Sequence, residues 1–243
     1  MERYDPAMSF DTDVAAGYDS ELRGDEDAAS AFLARLAGDG RALELAIGTG
    51  RIALPLAARG VAVDGIDISE AMVDRLREKP GGDGLDVSIG NFADVDVAGS
   101  YRLIYVVFNT LYNLRDQAEQ VRCFENVATH LTDDGVFAIE AFTPGYLHRL
   151  RDDQYVDAEE VRVDKVWLDV ARHDPVGQRL ENNHVALSTS GIRLNPVVLR
   201  YAWPSELDLM AHIAGLRLHE RWGGWSGEPF TGASRLHVSV YAR

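Results

Sequence analysis

The chain is poor in cysteine and lysine, and it has no long apolar run. Cys123 is the only cysteine in 243 residues, so no internal disulfide and no cysteine-based zinc site can form. Cys123 falls in a helical pattern with Val121, Phe124 and Val127 and reads as core packing. Lys79 and Lys165 are the only lysines, and 39 acidic residues against 24 basic ones give a formal net charge of −15. That surface repels a phosphate backbone, so nucleic acid is not expected as a partner. No apolar stretch is long enough to span a bilayer, and no basic leader with an apolar core opens the sequence. No membrane association is expected, and a cytoplasmic setting is. No His, Asp or Glu cluster has metal-ligand spacing in the sequence, so no metal is expected.

The sequence does carry a glycine turn between two apolar patterns. Ala42–Ile47 reads as a strand, Gly48-Thr49-Gly50 as a tight turn, and Ile52, Leu54, Leu56 and Ala57 as a helix that begins at once. Glycines there let the backbone approach a ligand, and the helix N-terminus offers unpaired N–H groups. A second strand over 61–66 ends at Asp67. A carboxylate at that tip suits the paired hydroxyls of a ribose. A third strand, Leu85–Ile89, runs into Gly90-Asn91-Phe92. Asn91 can bond an adenine edge there, and Phe92 can pack on the ring. Glu44, just before the turn, would oppose a pyrophosphate but suits a sulfonium. Asn109 ends a fourth strand, beside the place where neighbouring strands diverge, and is expected to contact the cofactor or acceptor.

The order Glu44, Gly48-x-Gly50, Asp67, Gly90-Asn91-Phe92 resembles the class I S-adenosylmethionine-dependent methyltransferases. The resemblance continues through Leu103–Asn109 and Leu131–Ile139. Ala46 stands where that family more often has its first glycine. The resemblance implies an α/β fold, a doubly wound Rossmann-like seven-stranded sheet, here with an inserted antiparallel β-meander. It implies S-adenosylmethionine as cofactor, held by Tyr18, Glu44, Ala46, Gly48, Thr49, Gly50, Asp67, Ile68, Asn91, Phe92, Phe108 and Asn109. Tyr18 enters this set only by likeness to a tyrosine on an N-terminal helix of small-molecule members. The implied reaction is methyl transfer to a nitrogen or oxygen of a small molecule in secondary metabolism. The layout is most like the amino-sugar N-methyltransferases of antibiotic pathways. Two competing readings remain at this point, a nicotinamide-dependent oxidoreductase and a non-catalytic protein that binds the cofactor.

Three parts follow from the pattern. Residues 1–40 form a helical N-terminal cap. Residues 41–150 and 204–243 form the cofactor domain, with strands alternating with helices. Residues 151–203 alternate apolar and polar positions, as antiparallel strands do, and are expected to make an acceptor lid. Three strands are expected there, over 161–170, 178–188 and 192–203, with His173 in a turn. Trp167, Tyr201, Trp203, Trp222 and Trp225 either line an acceptor pocket or pack the meander onto the sheet. Arg149, Arg151 and Arg200 could face a nucleotide-linked sugar. His148 and His184 are the candidate bases. His237 alternates with Leu236 and Val238, which points it away from their face. The chain is expected to be a monomer or a homodimer.

Overall fold

The computed structural model describes residues 9–10, 12–19 and 23–243. Two helices, α1 (Thr12–Gly17) and α2 (Glu26–Ala37), precede the central sheet. The sheet is then built from β1 (Ala42–Leu45), β2 (Val63–Asp67), β3 (Asp86–Ile89), β4 (Tyr101–Val106) and β5 (Leu131–Phe142). The helices between them are α3 (Ala53–Ala58), α4 (Glu70–Arg77) and α5 (Gln117–His130). Ser69 caps α4 by accepting from Met72 N at 3.2 Å, and Asp116 caps α5 by accepting from Glu119 N at 2.8 Å. Both side chains take up a donor that the first helical turn leaves unpaired. The helix α5 runs straight into β5, which starts at Leu131.

After β5 come four long strands, β6 (Gln154–Val161), β7 (Lys165–Asp174), β8 (Arg179–Ser188) and β9 (Gly191–Arg200). The helix α6 (Pro204–Ile213) and strands β10 (Arg217–Trp222) and β11 (Leu236–Ala242) complete the chain. The seven-stranded sheet has the order β10-β11-β5-β4-β1-β2-β3, and β6-β7-β8-β9 form a separate antiparallel sheet. The strands β1 to β5 pair in parallel. Strand order reverses between β1 and β4, the switch point at which open α/β sheets bind ligands. One face packs Phe124, Phe137 and Tyr241, and the other packs Leu33, Ile52 and Tyr105.

Two expectations need correction. The insertion has four strands, because Gln154–Val161 pairs along β7 despite its charged residues. His173 is buried at the end of β7, where its register partner is Leu180. His237 is fully buried. β11 lies between β10 and β5 with both faces covered.

The four-stranded sheet has two unlike faces. Cross-strand rows on one face read Val161–Val166–Leu187–Ile192 and Ala158–Leu168–Val185–Leu194. The other face carries the row Asp157–Asp169–His184–Asn195, followed by Tyr155–Ala171–Asn182–Val197. That second face is the one that joins the main core, through Ala171, Leu180, Tyr155 and Leu199.

Candidate active site

The first strand tip is tied to the second. Gly48 N donates to Asp67 Oδ2 at 2.7 Å, and Ser69 N donates to Asp67 Oδ1 at 2.8 Å. Burial raises the Asp67 carboxyl above its ordinary pKa, against the lowering effect of these amide bonds. Gly48 and Gly50 have φ of 57° and 77°. A Cβ on Gly50 would meet Leu76 Cδ1 at 2.3 Å, so glycine is required there by conformation and by space. Ala46 holds φ at 58° without that freedom.

A cavity of about 470 Å³ opens beside this turn, within the size range of ligand clefts. Tyr18, Ala46, Gly48, Asp67, Ile68, Asn91 and Phe92 all line it. Phe10, Met72, Thr110, Asn113, Leu114, Arg115 and Glu119 line it as well, and no motif in the sequence marks them. They come from loops and helix starts whose approach to the turn has no sequence signature. Phe10 and Tyr18 are placed over the cavity by ties to the sheet domain. Ser69 Oγ donates to Phe10 O at 2.7 Å, and Thr49 Oγ1 donates to Asp19 Oδ1 at 2.7 Å. Lys79 Nζ pairs with Asp19 Oδ2, also at 2.7 Å.

Glu44, Thr49, Gly50, Phe108 and Asn109 are not part of the lining. Glu44 is fully buried under the turn, where Tyr105 Oη donates to it at 2.9 Å. Burial pushes its carboxyl up to about 8, which outweighs the bonds from Tyr105 and the Ala53 backbone and the charge of Arg51. Asn109 has φ of 62°, which turns its side chain back onto β5, where Oδ1 accepts from Phe142 N at 2.6 Å. Phe108 N donates to Glu140 Oε2 at 2.7 Å, and the Phe108 ring lies beneath the Arg23 guanidinium. Glu140 is a buried carboxyl group near the end of β5 that is not among the residues expected at the site. Its signal was a lone charge inside the apolar run of β5.

The two candidate histidines lie on the inserted sheet and its approach. His148 belongs to a 3-10 turn, Pro144–Arg149, and its Nε2 is 3.1 Å from Tyr201 Oη. His184 Nδ1 is 3.2 Å from Glu159 Oε1. The ligating atoms of Glu159, Asp169 and His184 lie within 4.8 Å of one another. The fold therefore assembles a cluster whose spacing is invisible in the sequence. Its members already engage neighbours, since Tyr155 Oη donates to Asp169 Oδ2 at 2.8 Å. Asp169 Oδ1 is buried and has no hydrogen-bond partner. Arg200 is committed elsewhere, to Gln120 and to Glu206 at 2.5 Å. Trp225 packs on Phe32 in the sheet domain, with ring centroids 5.5 Å apart.

A family profile described as a methyltransferase domain matches residues 42–135. The CcbJ methyltransferase from Streptomyces caelestis superposes with a TM-score of 0.93 at 39% identity, covering 98% of this chain and 99% of that one. The chain belongs to the class I S-adenosylmethionine-dependent methyltransferases. It is therefore an enzyme that uses S-adenosylmethionine. The cypemycin N-terminal methyltransferase of a Streptomyces species is 26% identical to this methyltransferase over 206 residues, 84% of each chain. CalS10, an amino pentose methyltransferase from Micromonospora echinaspora, shares its fold at a TM-score of 0.69 and 21% identity, over 100% of this chain and 99% of that one. Among the described residues, no helix is long and apolar enough to cross a membrane.

Proposed function

We propose that this methyltransferase methylates an amine of a small molecule. The observation that carries the reading is the polar face of the four-stranded sheet, with the buried, unpaired Oδ1 of Asp169 on it. This face continues the core beside the cofactor domain. β9 packs on the Thr110–Asn113 turn that lines the cavity, and Asp169 is close enough to Tyr146 to raise its pKa, though less than burial does. An ammonium fits an acidic wall of this kind, whereas a phosphate does not. The likeness to relatives named for amine methylation agrees with it.

In this reading Asp67 holds the cofactor's ribose hydroxyls, Asn91 and Phe92 hold its adenine, and Phe10 and Tyr18 cover it. S-adenosylmethionine supplies an electrophilic methyl group on a good leaving group. The chain then has to align the acceptor and exclude water. An amine is an ammonium in water and must shed a proton before it attacks, and we assign His148 to receive it. No step of this reading uses a metal at the Glu159, Asp169 and His184 cluster. Activity should survive chelation. The test is turnover with a panel of amines and matched hydroxyl compounds. Asp169→Asn should raise KM for the amine acceptor by at least tenfold and leave cofactor affinity alone. Preference for the hydroxyl series, or an unchanged KM, would reject the amine reading.

We infer further that the apolar face of the inserted sheet pairs with a second copy of the chain. Val156 (68% exposed), Val161 (71%), Ile192 (74%) and Leu194 (60%) lie on that face, and no described residue covers them. Four strands about 4.8 Å apart and about ten residues long present roughly 650 Å², close to the ~800 Å² per partner of a stable interface. A dimer by sizing that Leu194→Lys converts to monomer is expected, and a monomeric wild type would reject the inference.

A further inference from the structure

We propose that Asp153, His173 and Tyr201 form a positioning chain that decides which nitrogen of His148 is free to take a proton. The proposal rests on the reading of His148 as the proton acceptor. Three separate elements meet here. His148 is in the turn after β5, His173 ends β7, and Tyr201 follows β9. His173 Nε2 is 2.8 Å from Tyr201 Oη, and the same oxygen is 3.1 Å from His148 Nε2. The His173 side chain is 0% exposed, and its Nδ1 lies 3.5 Å from Asp153 Oδ1 with no hydrogen bond formed. The His148 ring also stacks at 5.4 Å from Trp203. Phe142, whose N–H is held by Asn109, lies 6.5 Å from Tyr201. The chain thus ends beside the tips of β4 and β5.

Proton counting fixes its direction. Tyr201 has one proton, so it can donate to one histidine only and must accept from the other. Asp153 is a carboxylate with no proton to give, so the ring nitrogen facing it is favoured as N–H. A neutral His173 with its proton on Nδ1 presents Nε2 as an acceptor. Tyr201 then donates to His173, and its oxygen accepts Nε2–H from His148. The lone pair of His148 is left on Nδ1. A proton taken there creates an imidazolium whose Nε2–H already points at an oxygen. Other charges near Tyr201 are Asp174, Arg200 and Glu206. None of them enters the chain. Arg200 is paired with Glu206, and Asp174 accepts the amides of Val176 and Gly177 at 3.0 Å each.

The test is nuclear magnetic resonance on the whole protein labelled with ¹⁵N-histidine, which needs no acceptor. His173 is expected as the Nδ1–H tautomer, the form free imidazole disfavours, and His148 as Nε2–H. Tyr201→Phe removes the acceptor of the His148 Nε2–H. The ¹⁵N resonance of His148 Nε2 should then shift as that hydrogen bond is lost, while Nδ1 keeps its lone pair. Asp153→Ala, a surface change that leaves the core intact, should convert His173 to Nε2–H. His148 found as the Nδ1–H tautomer in the unaltered protein would mean that Tyr201 donates to His148, and the proposal would be overturned. An unchanged His148 Nε2 resonance in Tyr201→Phe would overturn it too, as would an unchanged His173 tautomer in Asp153→Ala. The assignment of His148 as proton acceptor stands or falls separately, on the methylation rate of His148→Gln.

Discussion

The amide of Gly48 donates to Oδ2 of Asp67 at 2.7 Å. The tip of the second strand is thereby fixed against the turn after the first, before any cofactor arrives. Ser69 N holds the other carboxylate oxygen, so both oxygens are aimed by backbone. Each retains a lone pair for a ribose hydroxyl. Asp67→Ala should cost roughly 1.5–3 kcal/mol of S-adenosylmethionine affinity for each charge-assisted bond removed. Calorimetry with S-adenosylhomocysteine checks this. Unchanged affinity in a folded variant would exclude Asp67 from the cofactor site.

Glu44 makes stability depend on pH with an unusual sign for an acid. Burial pushes its folded pKa up to about 8 from an ordinary value of 4.5. Between those values the folded state holds more protons than the unfolded state, so stability falls as pH rises. The contribution is fully present below the unfolded value and is lost as pH rises through about 8. Glu44→Gln keeps an acceptor for Tyr105 and removes the titration. Denaturant midpoints of the wild type should decline from pH 5 to pH 8 more steeply than those of the variant. Parallel profiles would show that Glu44 stays ionised.

Ala46 occupies the left-handed region at φ 58°. An L-residue there loses roughly 1–2 kcal/mol, and glycine gives back part of that as unfolded-state entropy. Ala46→Gly should therefore stabilise the fold by about 0.5–1 kcal/mol, read from urea unfolding. A destabilised variant would place the alanine methyl in a packing role.

Arg200 joins the inserted sheet to two helices. It donates to Gln120 of α5 at 2.7 Å and pairs with Glu206 of α6, with side-chain exposures of 8% and 14% for the ion pair. Arg200→Met leaves a buried carboxylate without its cation and should cost about 3 kcal/mol. Arg200→Met with Glu206→Met should recover most of the loss. Glu206 is held below its ordinary pKa by bonds from Arg200 and Gln178 and by the Arg200 charge, against burial. Its contribution is present above the unfolded value and is lost as pH falls through the lowered one. A mild effect for the single variant would show that water reaches the pair.

The local sequence determined the strand-turn-helix at Gly48, the acid at Asp67 and the alternation of β7 to β9. Each depends on short-range rules, such as glycine at positive φ, helix capping and the two-residue period of a strand. That was enough for the fold class and for seven of the cavity-lining residues. Tertiary structure decided the rest. Whether Glu44 faces a ligand or lies under the turn depends on the packing of Tyr105 and Ala53. The direction of Asn109 depends on a left-handed backbone at the end of β4. His173 looked like a turn residue and is buried because β8 and Tyr201 close over it. The four-stranded sheet shows the limit most clearly. Its alternation was legible, but alternation does not say which face meets solvent. Here the polar face turns inward beside the core and the apolar face outward, because burial is set by what the sheet packs against.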